Sequence, residues 1–472
     1  MKKQILSFSL LLALSTWAAQ ASIVKGIVSD TKGKPIQGVV VTDGFNFTQT
    51  DKKGAYNLDS DLGKSRFVYL SVPNNYKIEQ TNSIPNRFFQ ELDKTKEINE
   101  HNFTLIPREK VNNEFVFFAI SDPQASNEKQ MERYRDETVE DMKQTIKHFN
   151  GKEVYGMALG DITGDRMDLY ESYKKAIAPL GIAMFSTIGN HDHDLRYPAL
   201  SNQKIAEESY AEHVFENNFG PYNYSFNIGK VHIISLKDID YYKGKKYDER
   251  FGKQQLDWLK NDLSYVKPGT IVFINLHAPV FNKTDKGGAN ADDAETFKKI
   301  VSAYNVHIFS GHTHFYENNQ VTPTLYDHNI GAACGAWWAG HVNRCGAPNG
   351  YLIVEVKDKN VSWHYKATSK ELNYQFRVYK PGEFKSQAKY LIVNVWDWDP
   401  TFKITWSENG IDKGKLQQFD DEDQDYISMK GNASGYHTKH LFRCEPSAQA
   451  KNVQIKVVNH FGESFTQNVI LP

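Results

Sequence analysis

Five apolar runs in this chain each stop at a side chain able to hold a metal ion, and that pattern limits the fold more than any other feature. Phe115 to Ile120 leads into Asp122, and Val154 to Leu159 leads into Asp161. Ala183 to Ile188 leads into Asn190, Ile271 to Leu276 into His277, and Val306 to Ser310 into His312 and His314. Short runs rich in β-branched and aromatic residues, bounded by turn residues, read as buried strands. Between them lie segments with helical spacing. Residues 127–149 carry Met131, Tyr134, Val139, Met142, Ile146 and Phe149, and 168–180 and 292–304 are similar. Strands alternating with helices predict a layered α/β core, in which ligands gather outside the carboxyl ends of the strands.

Taken singly, each polar segment has a bland explanation. Gly160-Asp161 is an ordinary turn pair, because Gly and Asp dominate turns for steric and hydrogen-bonding reasons. Asn190 suits a left-handed turn, His277 can simply end a strand, and His312-Thr313-His314 can be a surface or core pair. These explanations do not account for five such segments, all at strand ends. The donors are oxygens of Asp122, Gln124, Asp161 and Asn190 and nitrogens of His277, His312 and His314. A mixed oxygen and imidazole set suits Mn, Fe, Zn or Ni, whereas a soft thiolate site would need Cys. With one carboxylate shared, the set would satisfy two divalent ions about 3.5–4 Å apart, the arrangement used for displacement at phosphorus. Water between such ions becomes a nucleophile near neutral pH, and His191 beside Asp192 is the natural proton donor for a leaving group. The predicted chemistry is hydrolysis of a phosphoester by direct attack of water, with no covalent enzyme intermediate.

The combined set Asp-x-His/Gln, Gly-Asp, Gly-Asn-His-Asp/Glu, a strand-end His and Gly-His-x-His resembles the signature of calcineurin-like metallophosphoesterases. The resemblance runs from about Asn113 to Tyr365. It implies a β-sandwich wrapped by helices. It further implies a first ion held by Asp122, Gln124, Asp161 and His314, and a second held by Asp161, Asn190, His277 and His312. Asp161 would bridge them. His191 would contact the phosphate or protonate the leaving group, with Asp192 holding its imidazole. Gln124 departs from the more usual His of the family; an amide oxygen is a weaker, neutral ligand, which leaves the identity of the metal open.

Substrate contacts are expected from segments outside that signature. Asp165 and Arg166 follow Asp161, His193 and Asp194 follow Asp192, and residues 327–344 form a Gly-rich stretch. Trp337 and Trp338 would stack a sugar, base or choline-like group, or anchor the loop in the core. Arg344 would clamp a phosphate or carboxylate, or sit in a structural salt bridge. Arg166 and His193 complete the candidate substrate-binding residues.

The remaining sequence sets the context. Lys2 and Lys3, the apolar run from Ile5 to Leu14, and Ala19-Gln20-Ala21 make a signal peptide over residues 1–21. The run is too short to span a membrane, so the expectation is export to the periplasm or beyond, with no transmembrane segment after cleavage. At 472 residues the chain exceeds one core. It divides into a small β domain at 22–107, resembling carboxypeptidase-regulatory-like sandwiches, a catalytic domain at 108–371, and a C-terminal β domain at 372–472. The expected class is thus multidomain α/β plus β, a central sandwich flanked by helices with small β-sandwich domains at both ends. Within the last domain, Asp420 to Asp423 reads as a solvated acidic loop. Cys334, Cys345 and Cys444 suit an oxidising compartment; Cys334 and Cys345 would close a loop, or all three stay as buried thiols. The charge is balanced, with 56 basic and 57 acidic residues, which gives no electrostatic footprint for nucleic acid. The expected partner is a small-molecule, glycan-linked or lipid-linked phosphoester. The competing reading is a non-catalytic binder of glycans or cell-surface polymers on a decayed hydrolase core, which turnover would exclude.

Overall fold

The computed structural model describes residues 21–195, 210–243, 246–281, 288–289 and 291–472. The expected signal segment lies outside them, apart from its last residue, Ala21.

Two sheets face each other at the centre. The first has five strands in the order 183–187, 153–159, 114–120, 350–357, 360–367. Its first three are parallel, and the last two return as an antiparallel hairpin. The second has six strands in the order 224–228, 231–235, 271–275, 305–310, 325–329, 317–322. Its four middle strands are parallel. Parallel strands covered on both faces need apolar residues at successive positions, and Ile271–Asn275 is buried throughout. Phe117 of the first sheet meets Phe273 and Phe309 of the second at ring separations of 5.7 and 6.0 Å. Helices close the outer faces, as the sequence predicts. The segment expected as a helix over 127–149 starts at Asn127, whose side chain accepts from the Gln130 N–H at 3.0 Å. It continues to His148 through a π-turn at Tyr134–Val139.

The N-terminal strands form two four-stranded sheets and a two-stranded ribbon, with Ala21–Asp30 alternating exposed and buried positions as a half-buried strand should. Their apolar side chains merge with the central core. The Trp258 indole N–H donates to the Tyr69 hydroxyl at 3.1 Å, and buried Arg66 pairs with buried Glu216 at 2.7 Å. At the other end, strands 376–379, 391–395, 437–444 and 417–422 form one sheet and 411–415, 403–408, 452–458 and 464–470 another. Leu391, Val393, Ile455 and Val457 lie between them.

Two expectations change. The acidic stretch is not a solvated loop: Asp420, Asp421 and Glu422 end a strand, and Asp423 is fully buried as the cap of helix Gln424–Lys430. Asp is a favoured N-cap because its oxygen satisfies orphan backbone N–H groups. Tyr379 and Asn394 each also donate to Asp423 at 2.8 Å, which makes burial tolerable. The disulfide option fails as well, since all three cysteines are free and buried. Among the described residues, no helix is long and apolar enough to cross a membrane.

Candidate metal centre

Parallel pairing brings the donors together. Strands 114–120 and 153–159 are in-register parallel neighbours, so Asp122 and Asp161 leave the same edge of one sheet. Strands 271–275 and 305–310 do the same for His277 and the His312–His314 segment in the facing sheet. The turns that follow are strained. Asp122, Gln124, Asp161, His312 and His314 have φ of 45, 39, 49, 70 and 53°, a left-handed region rare for residues with a side chain. Such strain costs on the order of 1–3 kcal/mol per residue and persists only where the surroundings force it. Two glycines allow the approach. A Cβ at Gly189 would lie 2.3 Å from the Asp161 nitrogen, and one at Gly311 would lie 2.4 Å from Asp122 Oδ2.

Asp161, His277 and His312 bring one donor atom each within 4.8 Å of one another. Every imidazole is held by one nitrogen so that the other faces the centre. His277 donates from Nδ1 to the Leu159 carbonyl at 2.8 Å. Its Nε2 then lies 2.9 Å from Asn190 Oδ1, 3.3 Å from Asp161 Oδ1 and 3.1 Å from His312 Nδ1. His312 Nε2 is 3.0 Å from Glu249 Oε1, so this ring presents Nδ1. His314 Nδ1 lies 2.5 Å from the Gly335 carbonyl, which leaves Nε2 facing Asp122 Oδ1 at 3.7 Å. Asp122 Oδ2 accepts the His312 N–H at 2.9 Å, while its Oδ1 is buried with no hydrogen bond among the described residues. A buried, unsatisfied carboxylate oxygen is costly, and a cation would satisfy it.

The electrostatics fit the same conclusion. Burial opposes charge on His277, but Asp161 and Asp122 outweigh it and push its pKa up to about 10. Burial also disfavours ionised Asp161, but His277, His191 and His312 reverse this and hold its carboxyl well below the usual range. Protons on imidazole thus balance carboxylates at a place that divalent cations suit. Gln124 fits less directly. Its Nε2 donates to Asp161 Oδ2 at 3.1 Å, and its Oε1 lies 3.7 Å from the Cys334 thiol. Ligation through oxygen requires the amide to turn over.

His191 occupies the rim of this cluster, and one predicted partner is wrong. Its backbone N–H donates to Asp161 Oδ1 at 2.8 Å, and its Nδ1 pairs with Asp165 Oδ1 at 2.7 Å. Asp192 does not hold the imidazole. It is fully buried and accepts from Gly189 N–H at 3.0 Å, Ile162 N–H at 3.2 Å and the Tyr170 hydroxyl at 2.9 Å. The cause is the 3-10 turn at Asn190–Asp192, which folds residue 192 back over the start of its own turn.

The expected substrate contacts divide. Arg166 is exposed and committed to Asp168 at 2.6 Å and the Ser126 carbonyl at 3.2 Å. His193 is buried, stacked on Tyr241 at 4.6 Å and hydrogen-bonded to the Gly189 carbonyl at 2.9 Å. Burial pushes its pKa down to about 3, and its hydrogen bond supports the turn that carries Asn190 and His191. Trp338 anchors the loop, its indole N–H donating to the Pro123 carbonyl at 3.0 Å. Trp337 is 42% exposed and stacks 4.6 Å from His314. Arg344 donates to the Thr313 carbonyl at 2.9 Å and lies 4.7 Å from the Trp337 ring and 4.3 Å from the Tyr436 ring. Rings and a carbonyl hold it, and no salt bridge, one of the two expected roles, is made among the described residues.

Sequence reasoning missed Glu249 and Asp238. Glu249 ends the hairpin 239–243/246–249, and nothing in its local sequence marks it. Asp238 accepts the His277 and Ala278 N–H groups at 3.1 and 2.8 Å, and burial pushes its pKa up to about 7.

Comparison with known proteins agrees with this geometry. The family model for the N terminal of calcineurin-like phosphoesterase matches residues 22–108, that for calcineurin-like phosphoesterase 115–316, and that for the C terminal of calcineurin-like phosphoesterase 327–465. The chain belongs to the calcineurin-like phosphoesterases and is a phosphoester hydrolase. The C-terminal match begins inside the central sandwich, since strands 350–357 and 360–367 belong to its first sheet. Among solved structures, the chain is similar to a purple acid phosphatase from yellow lupin (Lupinus luteus) seeds. Identity is 12%, coverage 70% of this chain and 67% of that one, and the TM-score 0.38. It is also similar to a 5'-nucleotidase from Candida albicans, at 12% identity, 54% and 51% coverage and a TM-score of 0.31. No curated protein sequence matches.

Proposed function

We propose that this hydrolase works with two divalent ions, of Mn, Fe, Zn or Ni. Asp122, Gln124, Asp161 and His314 would hold the first, and Asp161, Asn190, His277 and His312 the second. The observation that carries this reading is the convergence of Asp161, His277 and His312 donor atoms within 4.8 Å, beside an unsatisfied Asp122 oxygen. When bound, such ions activate water and neutralise phosphoryl charge. His191 supplies the proton for the departing oxygen, because Asp165 occupies its Nδ1 and leaves Nε2 on the side of the donor cluster, 4.0 Å from Asp161 Oδ2. Asp192 acts through the turn: by gathering Gly189, Ile162 and Tyr170 it fixes the backbone that carries Asn190 and His191. Asp165 keeps the imidazole from rotating as the proton leaves.

The export reading rests on the N-terminal residues alone, and periplasm or exterior is the proposed location. The domain limits 22–107, 108–371 and 372–472 are supported by the sheets: strand 360–367 closes the central sandwich, and strand 376–379 opens the C-terminal one. The substrate is proposed to be a small-molecule, glycan-linked or lipid-linked phosphoester.

The test is turnover of p-nitrophenyl phosphate and its bis ester by the Mn²⁺-loaded chain. Hydrolysis of either, abolished by Asp161→Asn, supports the reading and separates monoester from diester preference. No turnover of either ester, with metal shown to be bound, would sink it and favour a binding protein.

A further inference from the structure

A cleft of about 600 Å³ lies between the signature segment and the C-terminal domain, within the size range of small-molecule sites. It begins one residue from the metal donors: Thr313, set between His312 and His314, lines it together with Phe315 and Arg344. The opposite wall comes from residues more than fifty positions further on, among them Trp398, Tyr436 and Lys439.

The lining is chemically mixed. Phe315, Trp398 and Tyr436 offer ring faces, Asp420 offers an acceptor, and Arg344 and Lys439 offer donors. Asp420 and His437 pair with each other at 3.2 Å, so the charges do not sum to a strongly basic surface. A lipid tail would want an apolar wall, and a polyanion would want a uniformly cationic one. Ring faces interleaved with both donors and acceptors suit a hydroxylated ring, which lays its C–H face on an aromatic and exchanges hydrogen bonds around its edge.

A run of side-chain contacts leads from the cleft to the metal centre. Tyr436 lies 4.3 Å from the Arg344 guanidinium, Arg344 lies 4.7 Å from Trp337, and Trp337 stacks 4.6 Å from His314. Arg344 Nε is buried without a hydrogen bond among the described residues. A ligand seated on Tyr436 would lie two side chains, Arg344 and Trp337, from His314.

We infer that this cleft binds the carbohydrate part of a phosphoester substrate, an inference that rests on the hydrolase reading above. The C-terminal domain then selects the substrate while the central sandwich cleaves it.

The experiment compares kcat/KM for hexose 1-phosphates and 6-phosphates with that for glycerol 3-phosphate, using the full Mn²⁺-loaded chain. Free hexoses are titrated in parallel by tryptophan fluorescence. At least one hexose phosphate should exceed glycerol phosphate by tenfold or more, and Trp398→Ala or Tyr436→Ala should cut that ratio at least fivefold. Lys439 is exposed, so Lys439→Ala gives a second variant with little risk to folding, and it should lower the ratio and weaken hexose binding together. The p-nitrophenyl phosphate assay separates the two failures. Turnover of that ester with no hexose preference, no fluorescence change and unmoved ratios would overturn the carbohydrate site and leave the hydrolase standing. No turnover at all would remove the reading on which it rests.

Discussion

Replacing Glu249 by Gln tests how the second ion is held without altering a proposed ligand. Glu249 Oε1 lies 3.0 Å from His312 Nε2, and this contact decides which nitrogen His312 presents. The His312 hydrogen bond holds the Glu249 carboxyl below its usual range, against the opposing effect of burial. The pair is therefore a charge-assisted bond, worth about 1.5–3 kcal/mol where water is excluded. The Glu249 side chain is 27% exposed, which places the expected loss at the lower end. Removing a group that orients a metal-bound imidazole typically costs 10–100-fold in affinity. We expect Glu249→Gln to weaken Mn²⁺ binding about tenfold, or about 1.4 kcal/mol. Glu249→Ala should cost more, since it also frees the ring to turn. Chelator competition gives the affinity, and activity lost at low Mn²⁺ should return as the metal is raised. An affinity within twofold of the parent, or a loss that saturating metal does not restore, would refute the reasoning.

Three further outcomes follow from the same geometry. Asp165→Asn removes the charge that holds His191, so alkyl phosphates should lose about 10²-fold in kcat, the scale of general acid catalysis, while p-nitrophenyl phosphate loses less; equal losses would count against His191 as the acid. Burial pushes His440 down to about 4 and His328 well below its ordinary 6.5. Between pH 4 and 6.5 the unfolded chain binds protons at these two sites that the folded chain refuses, so their contribution to stability is complete above 6.5 and falls with pH, by up to about 3 kcal/mol for His440. The urea midpoint should therefore drop from pH 7 to 5, and a flat profile would contradict it. Trp338→Ala opens a void and orphans the Pro123 carbonyl, costing about 3–5 kcal/mol; thermal unfolding should show a fall of several degrees, with a much smaller one for the exposed Trp337→Ala.

The core and the donor set were legible because each strand and its terminal donor are contiguous in sequence. Val154 to Leu159 predicts a buried strand, and Asp161 comes two residues later, so local pattern and site arrive together. Contacts made across the fold left no such mark. Glu249 reaches His312 from a hairpin more than sixty residues upstream, and only the folded chain shows it. Asp192 and Asp165 were misassigned because adjacency suggested one partner for His191 while a 3-10 turn selected the other. Trp337 and Trp338 are identical neighbours, both with left-handed backbone at φ 54 and 60°, yet one is buried under Arg133 and the other faces His314. No periodicity separates them; the loop's docking against Pro123 does.

Gln124 is where sequence and geometry together give the sharpest test of the metal reading. Its amide nitrogen now donates to Asp161 Oδ2 at 3.1 Å, so binding an ion through oxygen costs that hydrogen bond, about 1 kcal/mol, before any gain. An amide oxygen is also a hard donor, which suits Mn²⁺, whereas imidazole suits Zn²⁺. Gln124→His removes the reorganisation for every ion but changes donor character in favour of Zn²⁺ alone. Affinity for both metals should therefore rise, and the rise for Zn²⁺ should exceed that for Mn²⁺ by about tenfold or more. Measured by chelator competition, equal factors for the two metals would refute the donor argument. No change for either would mean that residue 124 never enters the coordination sphere, leaving the first ion to Asp122, Asp161 and His314.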